Sequence, residues 1–258
     1  MKLGCCSWSY HRNFESGDMD LFDWMTVCAR DLKVGGIEIT DGHMKSVNTD
    51  YVRQVRRVAV DLHLTISGYT VSNDFGKATK EERDGELEKL EAELIVAAAL
   101  GAPVLRVFAG WPATDKEQQW AEMVRYMKIS TVLAEREGVV LAVENHNHGG
   151  FLQTFKDVER LLRDVDSEWL RLNLDTGNYI DGWTSIEKSM LYNVHTHAKM
   201  MNIDEDGFDT TCDYPRFAEL LRETNYRGFI CVEYEGEEEE AAAVPRGVNY
   251  LRSLLMKD

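Results

Sequence analysis

Eight short apolar runs alternate with longer helical stretches along the whole chain, and this alternation constrains the fold more than any other feature. The runs are Lys2–Trp8, Gly36–Thr40, Leu64–Tyr69, Val104–Ala109, Val139–Glu144, Leu170–Asp175, Val194–Lys199 and Phe229–Glu233. Strands that alternate with helices form parallel sheets. Eight such units favour closure, so the sequence predicts an α/β fold of the (β/α)8 barrel type. A doubly wound open sheet is the alternative, although the sequence has no glycine-rich nucleotide-binding motif to support it.

The length of the chain agrees with one barrel. Its 258 residues match the roughly 250 that are typical of this fold, and no linker or low-complexity segment divides them. The sequence therefore predicts a single domain over residues 1–258. Three patterns of a threonine followed three residues later by an acid, at Thr79, Thr114 and Thr154, predict helix starts through capping boxes.

Charge and cysteine content narrow the class of function. The chain has 29 basic and 45 acidic residues and a formal net charge of −16, so its average field repels nucleic acid and anionic membranes. Its five cysteines lack zinc-finger spacing and suit reduced thiols in the cytosol. The N-terminal residues lack the apolar core of a signal peptide, and no run approaches the ~18 apolar residues of a membrane span. A cytoplasmic protein with no nucleic-acid or membrane partner is expected.

Four polar residues lie at or near the ends of the last four apolar runs: Glu144, Asp175, His197 and Glu233. Parallel barrel strands end at one rim of the barrel. A ligand set of three carboxylates and one imidazole at this rim is more typical of Mn²⁺, Mg²⁺ or Co²⁺ than of a thiolate-type zinc site. Each residue also has a plain structural explanation. Glu144 can be a salt-bridge partner, Asp175 the cap of a turn, and His197 a core histidine. Together they predict a metal site.

The same segments carry a family resemblance over nearly the whole chain. They read ISGYTVSNDF, LGAPVLRVFAG, LAVENHNHGG, LNLDTGNY, VHTHAKM and NYRGFICVEYEG. The chain resembles the xylose isomerase-like TIM-barrel superfamily of sugar isomerases, epimerases and related lyases. The resemblance implies one divalent cation, Mn²⁺ first and Mg²⁺, Co²⁺ or Zn²⁺ as alternatives, held by Glu144, Asp175, His197 and Glu233. It also implies proton abstraction next to a carbonyl through an enediolate, with Glu144 and Glu233 as the catalytic acid and base.

Three further residues are candidates for substrate binding. His146 follows Glu144 by two residues and can contact a substrate hydroxyl, or be a plain loop histidine. Lys199 matches the lysine common in the His-x-Lys pattern of the family, and a structural salt bridge is its other explanation. Arg106 lies within an apolar run, where its charge requires a partner, either a rim carboxylate or the substrate. Trp8, Phe108 and Trp111 are aromatic side chains that can stack on a sugar or pack in the core.

Two positions depart from the ketose 3-epimerase pattern. Asn178 stands where a histidine is typical, and Gly150 stands where a glutamate is typical. These departures keep open a metal-dependent lyase or dehydratase that acts on a keto-sugar or inosose through the same enolate. The segments after the last two strands, MMNIDEDGFD and EYEGEEEE, are acidic, so an unphosphorylated sugar or polyol is the expected substrate.

Two other functions occur or can be imagined on this fold. One is an abasic-site endonuclease, which needs a basic DNA-facing groove and more histidines than the 7 present here. The other is a non-catalytic sugar-binding barrel, against which the retention of both glutamates argues. Barrels of the family commonly pair through helical faces, so the resemblance also allows a homo-oligomer.

Overall fold

The computed structural model describes residues 1–255, and its eight strands follow one another in chain order around a closed barrel. The strands are β1 (Lys2–Cys6), β2 (Gly36–Thr40), β3 (Thr65–Thr70), β4 (Val104–Val107), β5 (Val140–Glu144), β6 (Leu170–Asp175), β7 (Asn193–Met200) and β8 (Phe229–Tyr234). Neighbouring strands such as β4 and β5 or β7 and β8 pair in parallel. The predicted (β/α)8 TIM barrel is confirmed.

Helices separate the strands along the chain. They are α1 (His11–Ser16), α2 (Leu21–Arg30), α3 (Thr49–Asp61), α4 (Lys80–Leu100), α5 (Lys116–Glu137), α6 (Phe155–Val165), α7 (Trp183–Ser189), α8 (Tyr214–Glu223) and α9 (Glu240–Leu255). Two 3-10 helices, Ser7–Tyr10 and Asp41–His43, follow β1 and β2. Among residues 1–255, no helix is long and apolar enough to cross a membrane.

Two strands end earlier than predicted. In β4 a side chain takes the place of the neighbouring strand as the hydrogen-bond partner of the backbone. Strand β4 stops two residues before Ala109 because the amide of Asn73 takes over the backbone of Phe108. Asn73 Nδ2 donates to the Phe108 carbonyl over 2.8 Å, and Phe108 N donates to Asn73 Oδ1 over 2.8 Å. Strand β1 ends at Cys6, so Trp8 lies in the following 3-10 helix and not in a strand.

Two of the three predicted caps begin helices as expected. The capping box of Thr79 precedes α4, with Thr79 N donating to Glu82 over 2.9 Å, and Thr154 precedes α6. The prediction at Thr114 is wrong by one residue. Asp115 caps α5 because its carboxylate accepts from two amides of the first turn, Glu117 N at 3.0 Å and Gln118 N at 3.1 Å.

The contacts group the chain into two units. We call Met1–Ser67 together with the chain from His195 onward the terminal unit, and Gly68–Val194 the central unit. The single domain over residues 1–258 stays a prediction. In the central unit the core lies between sheet and helices, where Val107, Val143 and Leu172 are fully buried.

In the terminal unit β1 pairs with both β2 and β8. Glycine is required where these strands come close, because a Cβ on Gly36 would lie 2.2 Å from the Phe229 ring. In the acidic run after β8, Glu237, Glu238 and Glu239 are exposed, whereas Glu240 is buried. Its carboxylate is 1% exposed and accepts from Arg12 N at 3.0 Å and Asn13 N at 3.2 Å, which ties the start of α9 to α1.

Candidate active site

Glu144 ends β5 in the central unit and is held by three donors. Arg106 on β4 brings its Nε to 3.4 Å from Oε2, and Asn173 on β6 donates to the same oxygen over 2.9 Å. Asn178 donates to Oε1 over 3.4 Å. The Glu144 side chain is only 3% exposed, so these contacts offset the cost of burying its charge. Of the two partners expected for Arg106, the structure provides the carboxylate.

Asp175 ends β6 beside Glu144, and its position is fixed through the backbone. The amide of Asn145 pairs with that backbone, donating to the Asp175 carbonyl and accepting from its N–H, each over 2.9 Å. Asp175 Oδ1 accepts from Gly177 N at 2.7 Å, so the residue does cap the following turn. A carboxylate oxygen of Asp175 also lies within 4.8 Å of one of Glu144. The two acids can therefore act as neighbouring ligands.

His197 on β7 and Glu233 on β8 form the corresponding pair in the terminal unit. His197 Nδ1 lies 3.4 Å from Glu233 Oε1, and both side chains are buried. Lys199 Nζ lies 2.6 Å from Glu233 Oε2 and 2.9 Å from Glu235 Oε1. Burial alone raises the pKa of Glu233, but His197 and Lys199 outweigh it and hold that pKa well below its usual range. Glu233 is therefore an ionised carboxylate at neutral pH.

Glu38 is a further buried ionisable residue, which the sequence reasoning missed. It lies in the middle of β2 and is 1% exposed, with Oε2 2.6 Å from His197 Nε2 and Oε1 3.7 Å from His195 Nδ1. The signal was present in the sequence, because Glu38 is the single charged residue of the apolar run Gly36–Thr40. Cys6 also approaches this group, with its sulfur within 4.8 Å of ligand atoms of His197 and Glu233.

The other substrate-binding candidates of the central unit lie next to Glu144. The guanidinium of Arg106 stacks over the Phe108 ring, with Cζ 4.2 Å from the centroid. The His146 ring packs edge-on against Phe108 and Trp111 at centroid distances of 5.2 Å and 5.1 Å. These aromatic residues, Glu144 and His146 line one small crevice. Substrate contact by His146 stays a prediction, beside its explanation as a plain loop histidine.

Trp8 belongs to an aromatic group at the carboxyl end of β1. Its ring stacks on His11 at 4.9 Å and on His43 at 6.0 Å, and its Nε1 donates to Glu235 over 3.0 Å. His43 also stacks on Phe14 at 4.0 Å. Burial and the neighbouring His11 lower the pKa of His43 to about 4, so this ring is neutral at physiological pH and adds no positive charge.

Each unit has donor atoms that suit a hard divalent cation. Carboxylate oxygens and one imidazole nitrogen are the ligands that Mn²⁺ and Mg²⁺ accept. Glu144 and Asp175 end their strands, Glu233 is next to the end of β8, and His197 lies within β7; each is at most 5% exposed in its side chain or in the whole residue. Buried acids are costly unless cations accompany them. The donors of each unit, Glu144 with Asp175 and His197 with Glu233, therefore fit a metal.

Curated relatives match only part of this chain. An inosose dehydratase of Mesomycoplasma hyopneumoniae strain 7448 is 26% identical, over 47% of this chain and 50% of the relative. The chain thus spans about half the length of the curated relatives that it matches.

Solved structures match over nearly the full length. A D-psicose 3-epimerase of Clostridium cellulolyticum H10, crystallised with D-tagatose, superposes with a TM-score of 0.82 at 17% identity, covering 99% of both chains. A 3-keto-D-glucoside 4-epimerase of E. coli superposes with a TM-score of 0.79 at 19% identity, covering 98% of this chain and 99% of the other. At these identities the similarity shows the fold alone.

The model of one family covers most of the sequence. It is described as the xylose isomerase-like TIM barrel and matches residues 28–254. That range includes seven of the eight strands, and it includes the three acids and one histidine at or near the strand ends. Together with the closed parallel barrel, this match shows that the chain belongs to the xylose isomerase-like TIM-barrel family.

Proposed function

We propose that this protein is a divalent-metal-dependent sugar isomerase or epimerase, which abstracts a proton next to a carbonyl through an enediolate. One observation carries the proposal. Two buried glutamates lie at the end of β5 and next to the end of β8, and each lies beside a cationic side chain, Arg106 at 3.4 Å from Glu144 and Lys199 at 2.6 Å from Glu233. Buried carboxyl groups at the carboxyl ends of barrel strands are suited to proton transfer.

We propose that Glu144, Asp175, His197 and Glu233 together hold the cation. The support is the fold class, in which the carboxyl ends of all strands share one face, and the close approach of ligand atoms within each unit. Mn²⁺ is the first choice, and Mg²⁺, Co²⁺ and Zn²⁺ are alternatives. A bound divalent cation supplies Lewis-acid stabilisation of the negative charge that develops on the substrate oxygen.

The roles of the glutamates follow from their surroundings. Glu233 is kept ionised by His197 and Lys199, so in this proposal it accepts the carbon-bound proton. In the same proposal Glu144 enters the reaction as a carboxylic acid and returns its proton from the other side of the substrate, and both glutamates then regain their starting forms by proton exchange with solvent. Its contacts with Arg106 and Asn173 fix its orientation. Arg106, Lys199 and His146 bind substrate oxygens.

A metal-dependent lyase or dehydratase is the second candidate, and a specific observation favours it. The curated relatives that match are inosose dehydratases, and Asn178 replaces the histidine that is typical of ketose 3-epimerases. Asn178 donates an amide N–H to Glu144 over 3.4 Å, so it can orient this glutamate but cannot transfer a proton itself. The enolate step is the same in both candidates, and only the fate of the β-substituent differs.

Exchange of substrate hydrogen with solvent tests the shared step. We expect the metal-loaded protein to introduce deuterium from D₂O into at least one member of a panel of ketoses, inosose and 3-keto-glucosides, observed by NMR. Exchange accompanied by a new epimer supports the isomerase, and exchange with loss of water supports the dehydratase. Absence of exchange with every compound would contradict both candidates and favour a non-catalytic sugar-binding barrel.

The acidic surroundings of the site predict a preference for uncharged substrates. Lys199 is already engaged by Glu233 and Glu235, and the following loop carries Asp204, Glu205 and Asp206. A phosphate group would meet this negative charge. We expect the unphosphorylated sugar to have the higher kcat/KM. A higher kcat/KM for the phosphorylated sugar would refute the expectation, and steady-state kinetics on the matched pair measure it.

A further inference from the structure

We infer that Glu38 is a positioning residue, which fixes the tautomer and the ring orientation of His197 for metal binding. The inference rests on the proposed function, because it gives His197 the role of a ligand. Its basis is one short contact, Glu38 Oε2 to His197 Nε2 at 2.6 Å, between side chains that are 1% and 0% exposed. At this distance the imidazole N–H donates to the carboxylate.

The contact decides which nitrogen of His197 is available. An ionised carboxylate can only accept a hydrogen bond, so Nε2 must carry the proton. When a cation takes the place of the second proton, the ring is neutral and its lone pair is on Nδ1. This atom faces Glu233, whose Oε1 lies 3.4 Å away. Nδ1 and Oε1 are therefore the two atoms through which neighbouring strands can bind one cation.

Glu38 is itself held firmly in place. Its other oxygen lies 3.7 Å from Nδ1 of His195. The Nε2 of that ring lies 3.2 Å from Ser67 Oγ, and this hydroxyl donates to the carbonyl of Ile37 over 3.0 Å. The side chain of Glu38 thus has both oxygens next to histidines and is anchored to its own strand. A carboxylate held in this way can orient His197 without rearranging when a ligand binds.

A purely structural ion pair does not explain the arrangement. One imidazole, that of His197, lies between two buried carboxylates, with Glu38 on Nε2 and Glu233 on Nδ1. A single acid would suffice to pair one histidine, and Glu233 already has a cationic partner in Lys199, so it does not need His197 as a counter-ion. Both acids have a role if His197 binds a cation. Glu38 then orients the ring through Nε2, and Glu233 is a second ligand beside Nδ1.

The variant Glu38→Gln tests the inference. The shape of the side chain is kept, but its amide can present N–H groups to Nε2 and favour the other tautomer of His197. Isothermal titration of the full chain with Mn²⁺ should show an affinity about 10- to 100-fold weaker than wild type. In wild type, long-range ¹H–¹⁵N spectra with Zn²⁺ bound should show His197 protonated at Nε2, and the variant should lose this signature.

Glu240→Gln is the matched control. It makes the same change at another buried glutamate, 1% exposed, that lies 3.3 Å from a histidine nitrogen, His11 Nδ1. It should bind Mn²⁺ as tightly as wild type. If the wild type binds no divalent cation, the proposed function falls and this inference with it.

Equal Mn²⁺ affinity of wild type and a folded Glu38→Gln variant would overturn the inference alone. Should the variant fail to fold by circular dichroism, the wild-type spectrum still decides. A Zn²⁺-bound His197 that is protonated at Nδ1 would refute the role given to Glu38.

Discussion

Replacing Glu233 by glutamine is expected to lower kcat/KM for the exchanging substrate by about 10²- to 10⁴-fold, the usual contribution of a positioned acid or base. Glutamine keeps the size of the side chain but cannot accept a proton. The substitution also removes the negative charge of the Glu233 carboxylate, which His197 and Lys199 stabilise. The same change at Glu144, the proposed partner in proton transfer, should have an effect of similar size. Steady-state kinetics and deuterium exchange measure both.

Glu235→Gln is the control for this substitution. Glu235 contacts the same lysine, with Oε1 2.9 Å from Lys199 Nζ, but its side chain is 33% exposed. Its replacement should change kcat/KM only a few-fold. Metal analysis of each variant separates two roles. Metal retained with turnover abolished indicates acid–base work by the glutamate, and loss of both indicates ligation. Wild-type turnover by Glu233→Gln would contradict the mechanism.

Replacing Lys199 by methionine is expected to destabilise the protein by about 3–5 kcal/mol at pH 7, since removal of one partner leaves a buried charge uncompensated. Lys199 and Glu233 are 6% and 5% exposed in their side chains, with Nζ 2.6 Å from Oε2. Urea denaturation measures the change. The control is Lys77→Met, because Lys77 is 42% exposed and lies 3.3 Å from Asp74. This control substitution should lower the free energy of unfolding by less than about 1 kcal/mol.

The loss of stability in Lys199→Met should become smaller at acidic pH. In wild type the pKa of Glu233 is depressed, so its ionised form contributes stability above the unfolded pKa of about 4.3. That contribution is lost as the pH falls through the lower folded pKa. In Lys199→Met, only His197 opposes the effect of burial, so the pKa of Glu233 is higher than in wild type. The ionised Glu233 then contributes less to the free energy of unfolding. The difference in stability between the two proteins should therefore narrow below about pH 4. A constant difference from pH 7 to pH 3 would contradict the assignment.

The strands were predictable because each is a short apolar run of the right length, and the structure places all eight where the runs lie. Their ends were harder to predict. Strand β4 ends at Val107 because of Asn73, an amide 35 positions away from Phe108 in the chain. Such a contact follows no local periodicity. Thr114 and Asp115 show the same limit at a helix start, since either side chain suits a cap and only the backbone geometry selects Asp115.

The strand-end residues were visible for a related reason, because a charged group that ends an apolar run requires a partner. Sequence reasoning could not choose that partner. For Arg106 a carboxylate and a substrate were equally acceptable, and the neighbouring strand supplies Glu144. Glu38 was overlooked because its run begins and ends in residues that fit a strand. Its importance is apparent only through His197, which is far away in sequence and 2.6 Å away in space.

The pairing of β1 with β8 has a consequence during synthesis on the ribosome. The central unit is one continuous segment, Gly68–Val194, and can complete its contacts as soon as that segment has emerged. Strand β1 obtains its second neighbour only when Phe229–Tyr234 follows, which at cellular translation rates is on the order of ten to forty seconds after β2 has been made. During that interval the nascent chain carries an open strand edge near its N-terminus. We expect this edge to be the segment that chaperones protect most in newly made protein.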